Sequence, residues 1–167
     1  MDEGYYFAAP WGKLLKGMTA VSTIILVGVA ALGLFFGPRH NVFYLLIMLV
    51  VPLGIWIGGC FFMICGFVLT ADSLVVLRPG WQTRLSLQQF IGAEVDPTAM
   101  KGSIRLFGNG GLFCFSGLFK NRKLGKYRAF ATDFKHSVVL RFSQRTVVVT
   151  PGNPAAFAAR IKDVTGK

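Results

Sequence analysis

Residues 146–164 read TVVVTPGNPAAFAARIKDV, and the run changes character halfway along. Arg145 to Thr150 is a β-branched stretch, and Pro151-Gly152 ends it, so it reads as a strand followed by a turn. Asn153 then supplies an N-cap oxygen. Pro154 suits the first helical position, where a missing N–H costs nothing. Phe157, Ile161 and Val164 fall at i, i+4 and i+7, which is one face of a helix. The chain thus closes as a strand, a turn and an amphipathic helix whose apolar stripe needs a sheet to cover it.

Working back from this run, the sequence supplies the sheet. Ser137 to Phe142 (SVVLRF) is a strand, and Ser143-Gln144 makes a tight hairpin turn into the next one. Tyr127 to Thr132 (YRAFAT), Ile104 to Gly108 and Phe90 to Val95 are further strands, with Phe113, Phe115 and Phe119 filling the segment between. Thr83, Leu85 and Leu87 alternate with Arg84, Ser86 and Gln88, the period of a half-buried strand. Phe67 to Thr70 and Leu74 to Arg78 flank the turn Ala71-Asp72-Ser73. Six or seven strands and one helix make a small barrel or a pair of packed sheets with the helix over an open end.

The first 70 residues are of a different material. The chain of 167 residues is 53% hydrophobic, carries only 15% charged residues and has a net charge of +11. That balance excludes an ordinary cytosolic enzyme and a disordered basic tail. No charge falls between Lys16 and Arg39, and none between Arg39 and Asp72. Met18 to Phe36 is long enough to cross a hydrocarbon core of about 30 Å. Val42 to Leu69 is longer than a span needs, so its end at Phe67 to Thr70 is read as the first strand of the next domain, with a kink or tilt at Pro52. A signal peptide has a shorter apolar core, and here a second span follows at once.

Residues 37–41 are the only link between the spans, which forces an antiparallel hairpin. Gly33 and Gly37, and Gly54 and Gly58, are small residues four apart and are candidate helix-packing positions. Lys13 and Lys16 precede the first span, Arg39 alone lies in the loop, and Arg78 and Arg84 follow the second. By the positive-inside rule both termini are cytoplasmic. Cys60 and Cys65 are read as small apolar residues of the second span.

Three motifs, in this order, resemble the bacterial PH-like (pleckstrin-homology-like) domains found behind membrane anchors. They are the opening pair around Leu69-Thr70-Ala71-Asp72-Ser73-Leu74, the middle from Arg105 to Thr132, and the closing run 146–164. The middle carries Phe107-Gly108, Gly111-Leu112-Phe113, Gly117, Phe119, Gly125-Lys126-Tyr127 and Ala131-Thr132. The resemblance covers residues 66–165. It implies two near-orthogonal antiparallel sheets and a C-terminal helix, and it implies no known catalysis.

The residues offer little chemistry of their own. Asp133, His136 and Ser137 lie too close together along the chain to converge as a triad and read as a polar turn. Cys114 has no Cys or His at ligand spacing, so no metal site is expected. Gly108, Gly110 and Gly111 lack the Gly-Lys-Ser/Thr that would make a phosphate loop and read as a flexible turn. The densest charge is Lys120, Arg122, Lys123, Lys126 and Arg128, five cations in nine residues without an acid. Such a run is either a solvated face or a contact for anionic lipid or an acidic partner. No Asp, Glu, His, Lys or Arg lies within either span, which argues against a transport path.

The expected architecture is a cytoplasmic segment (1–16), a membrane α-helical hairpin (17–69, spans 18–36 and 42–66) and a mainly-β domain (70–167). The domain is a PH-like barrel of two packed antiparallel sheets closed by the C-terminal helix. The expected function is non-enzymatic binding or scaffolding at the cytoplasmic face of the bacterial inner membrane, in a multi-pass protein without a cofactor. The lipid bilayer is the expected partner and nucleic acid is not. A protein partner and homo-oligomerisation stay open, and the alternative is an accessory or sensor subunit of a membrane enzyme or transporter complex.

Overall fold

Unbroken apolar sequence on either side of a short polar link produces two helices, α1 (Lys13–Phe36) and α2 (Val42–Phe61), in the computed structural model, which describes residues 4–38 and 40–166. Arg39, one of the charges used to orient the hairpin, lies outside the described residues. The Asn41 side chain caps α2 by accepting from the Tyr44 N–H at 3.1 Å. Both helices are long and apolar enough to cross a membrane. Ile24, Phe36, Phe43 and Val50 stand exposed along them, so no protein layer covers this surface.

The hairpin closes most tightly at its loop end. A Cβ built on Gly33 would lie 2.5 Å from Met48 Sδ, and one on Gly37 would lie 2.2 Å from Tyr44 Cε1. Gly54 and Gly58 have open space in the same direction. The two pairs therefore differ: the first lets α1 approach α2, and the second faces away from α1.

The second helix stops at Phe61 rather than running to 66. Cys65 already donates its N–H to the Leu77 carbonyl at 2.9 Å, and residue 66 begins a strand, so sheet pairing ends the helix. Cys65 consequently lies outside the helix and is exposed.

A four-stranded antiparallel sheet has the order β1 (Tyr5–Ala8), β2 (Gly66–Leu69), β3 (Ser73–Arg78), β4 (Trp81–Ser86). The remaining strands are β5 (Phe90–Val95), β6 (Ile104–Gly110), β7 (Phe115–Asn121), β8 (Gly125–Ala131), β9 (Val138–Phe142) and β10 (Thr146–Val149). They form a six-stranded sheet in the order β5-β9-β10-β8-β7-β6. One pairing in it, β10 with β8, is parallel. The link 132–137 skips a strand position, and the tight turn at Ser143-Gln144 folds β10 back into the gap, beside β8 and in the same direction.

Strand β1 corrects the view of residues 1–16 as a segment apart from the domain. Tyr5 pairs with Leu69 and Ala8 with Gly66, across the whole length of the helical hairpin. Four residues without alternation carry no strand signal of their own. A partner some 60 residues away selects the conformation.

The closing helix α3 (Pro154–Thr165) forms as its sequence dictates, with Asn153 accepting from the Ala156 N–H. Phe157 and Ile161 are fully buried between the sheets with Phe67, Leu74, Phe130, Leu140 and Val147. Phe7 of β1 meets the Phe157 ring edge-on at 5.1 Å. The other face of the six-stranded sheet is covered as well: Leu15 of α1, Met100 and Phe134 pack on Phe115, Phe119 and Tyr127. The first turns of α1 thus belong to the domain's packing. Helix α3 sits by β5, at the edge of the six-stranded sheet opposite β6.

Candidate functional site

Towards the β6 edge lies a cleft of about 800 Å³ between the end of α2, the β3–β4 turn and the inner face of β6 to β8. Three arginines line it: Arg78, Arg105 and Arg128. Each is placed by a different element. Arg78 is the last residue of β3, and the Pro79-Gly80 turn, with Gly80 at φ +79°, pairs it with Trp81. Arg128 follows from strand alternation: Tyr127, Ala129 and Ala131 face the outer packing layer, so Arg128 and Phe130 face inward. Arg105 precedes a bulge in β6 and donates from Nη1 to the Gly108 carbonyl at 3.1 Å.

Arg78 is 7% exposed and has no carboxylate partner among the described residues. Nη1 donates to the Phe62 carbonyl and Nη2 to Ser116 Oγ at 2.8 Å, while Nε has no partner. Its Cζ lies 4.6 Å from the Trp81 ring centre, 5.7 Å from Phe62 and 5.6 Å from Phe130. Arg128 stacks on the same Phe130 ring at 4.9 Å. Burial, then the nearby Arg128, pull the Arg78 pKa down. Arginine remains charged regardless, so the cleft holds positive charge that the α2 end and the rings offset only in part. The four ion pairs among the described residues are Lys123–Asp96, His136–Asp133, Arg141–Glu94 and Arg160–Asp163, and none includes a cleft arginine.

The same contacts fasten the domain to the end of α2. The last carbonyls of a helix lack intrahelical donors and carry partial negative charge. Trp81 Nε1 donates to the Phe61 carbonyl at 2.8 Å, Arg78 to that of Phe62, and the Cys114 thiol also reaches Phe62 O at 3.0 Å. Burial pushes the Cys114 thiol up to about 11, with Arg78 opposing the rise. Cys114 is therefore an inert thiol at neutral pH.

The β6–β7 turn is clamped, where the glycine-rich sequence suggested flexibility. The Asn109 side chain accepts from the Gly111 and Leu112 N–H groups and donates to the Leu112 carbonyl. Thr19 of α1 donates to the Gly111 carbonyl at 3.0 Å and accepts from the Phe113 N–H at 3.1 Å. Phe113, at φ +67°, is gripped between Trp11 and Trp56. Gly59, not Gly54 or Gly58, meets this turn, with a built Cβ 2.6 Å from Leu112 Cδ2. Gly108 and Gly117, both at positive φ, are register partners whose built Cβ atoms would strike each other's strand at 2.2 Å.

The five cations singled out in the sequence divide between one strand face and a turn. They lie on the β7–β8 hairpin, not on a mobile loop. Lys120 and Lys126 are register partners and share the inner face with Arg128. Lys123 is tied to Asp96 and Thr98. Arg122 stands exposed in the turn. This hairpin end lies at the far end of β7 from the helix-gripped turn, about 20 Å along the strand. Of the five, only Arg128 reaches the cleft. Asp133 and Ser137 cap a single 3-10 turn, Phe134–His136: Asp133 accepts from the Lys135 N–H and meets His136 Nδ1, and the Ser137 hydroxyl donates to the Phe134 carbonyl. Among the described residues no group of His, Cys, Asp and Glu could hold a metal ion.

Arg78 and Arg105 escaped the sequence reading because they stand alone in it, and only topology brings them to Arg128. The available signal was Arg78 itself, a cation closing an apolar strand just before Pro-Gly and Trp81. Residues 65–165 match the family described as Bacterial PH domain. No curated protein and no solved structure matches the chain.

Proposed function

Because the chain belongs to the bacterial PH domain family, whose fold sets no chemistry by itself, we propose that it is a non-enzymatic, membrane-anchored binding or scaffolding protein of the bacterial inner membrane. Both helices cross the bilayer, both termini are cytoplasmic, and the domain works at the cytoplasmic face. Lys13 and Lys16 before α1, with Arg78 and Arg84 after α2, support that orientation.

The binding surface in this reading is the arginine cleft, which takes an anionic group. One observation carries it: Arg78, Arg105 and Arg128 line one cleft, and none of them pairs with a carboxylate among the described residues. Positive charge gathered without a countercharge is costly, and a bound anion supplies one. The accessory or sensor reading draws on the clamped turn, since Thr19, Trp56 and Phe113 couple both helices to the sheet edge.

The test is thermal unfolding of the full chain in a neutral detergent, followed by tryptophan fluorescence. A ligand of the folded state raises the midpoint as its concentration passes Kd. Inorganic phosphate or a short-chain anionic phospholipid should raise it beyond the effect of chloride at equal ionic strength. The Arg105→Gln/Arg128→Gln variant should lose the rise. No stabilisation by either probe, or equal stabilisation of the variant, would rule out the cleft as an anion site.

A further inference from the structure

We propose that the arginine cleft seats one anionic phospholipid, with its headgroup phosphate at Arg78, Arg105 and Arg128 and an acyl chain along the last turns of α2. This rests on the reading of the cleft as an anion site and goes on to name the ligand.

The lining has two sides of opposite character. One side is the guanidinium group of residues just described. The other is apolar: Ile55 and Phe62 from α2, Phe107 from β6 and Leu118 from β7. From Ile55 to Phe62 the helix rises about 10 Å. The apolar wall therefore starts inside the helix that is apolar enough to span a membrane and ends where the arginines begin. A phospholipid entering from the bilayer presents its parts in that order. Phe107 is 79% exposed and Leu118 is exposed beside it. Large apolar side chains at the rim of a basic cleft are poorly served by water and well served by hydrocarbon.

A free phosphate would satisfy the arginines and leave that apolar wall wet. A volume of about 800 Å³ also far exceeds what one phosphate fills and falls within the usual range for ligand sites. Gly58 widens the helix side of the cleft, because a Cβ built there meets nothing within 4 Å.

The experiment compares probes on the full chain in neutral detergent, by half-saturation of the shift in thermal midpoint. The probes are dioctanoyl phosphatidylglycerol, dioctanoyl phosphatidylcholine and inorganic phosphate. The anionic lipid should act at a concentration at least about tenfold below phosphate, and phosphatidylcholine should act far more weakly. Arg105→Gln/Arg128→Gln should weaken the anionic lipid by about tenfold or more. Gly58→Leu is the second variant. The open space around Gly58 lets it fold, and its side chain occupies the acyl path. It should weaken the lipid about tenfold and leave phosphate unchanged.

Phosphate as potent as the lipid would overturn the lipid assignment while leaving the anion site intact. So would a Gly58→Leu chain that binds the lipid as the parent does. Equal potency of phosphatidylcholine would overturn recognition of the anionic headgroup. Silence from both anionic probes would remove the anion site along with its ligand.

Discussion

Arg78 closes β3, and with one guanidinium it meets the end of α2, Ser116 and three aromatic rings. Its planar shape makes this possible, since donors lie in the plane and ring faces can stack above and below it. A lysine could not reproduce both sets of contacts. Phe157 is the corresponding residue at the other end of the domain, fully buried against Phe7 and Phe67. Phe157→Ala should destabilise the full chain by about 3–5 kcal/mol, through lost burial and the cavity left behind. Lys162, exposed on the same helix, should give less than about 0.5 kcal/mol on replacement by alanine. Denaturation of both variants in detergent checks this, and small, equal effects would mean that α3 is not docked. Phe157 was legible from its place in the helical period. Arg78 was not, because its partners come from four other parts of the chain.

Elements joined by turns were the most legible, and elements joined across the hairpin the least. The β9–β10 hairpin and α3 follow from local turn and cap chemistry, and both form where the residues place them. The four glycines of the spans show the limit of local reading: identical spacing produces close approach at Gly33 and Gly37 and open space at Gly54 and Gly58. The difference lies in which face each helix turns to the other, and spacing alone does not set that. Gly33→Leu should therefore cost about 1–3 kcal/mol by forcing Met48 aside. Gly54→Leu should be neutral or stabilising by up to about 1 kcal/mol, because it adds helix propensity without a clash. Thermal midpoints of the two variants in one detergent decide it, and equal losses would mean that the second pair also packs.

For the whole molecule, strand β1 and the clamped β6–β7 turn decide how anchor and domain relate. A domain cut out at residue 70 would lose β1 and β2, half of the four-stranded sheet. It would also leave Phe157 without Phe7, so the full chain is the unit to study. Orientation is a property at this scale as well. In a chain whose native cysteines are replaced, Asn41→Cys should react with a membrane-impermeant thiol reagent in intact cells. Arg122→Cys should react only after permeabilisation. The reverse pattern would put the domain on the outer face.

By itself the sequence determined the two apolar helices, the strand-rich second half, the closing helix and the family resemblance that runs through it. These rest on period, composition and capping, which act over a few residues and need no distant partner. Only the tertiary structure decided that residues 5–8 complete a sheet, that α2 yields to a strand at residue 66, and that the five cations divide between one face of a hairpin and its turn. It also decided the arginine cleft. Arg78, Arg105 and Arg128 stand on separate strands, and a strand's neighbours and facing side are set by pairing and packing across the whole chain.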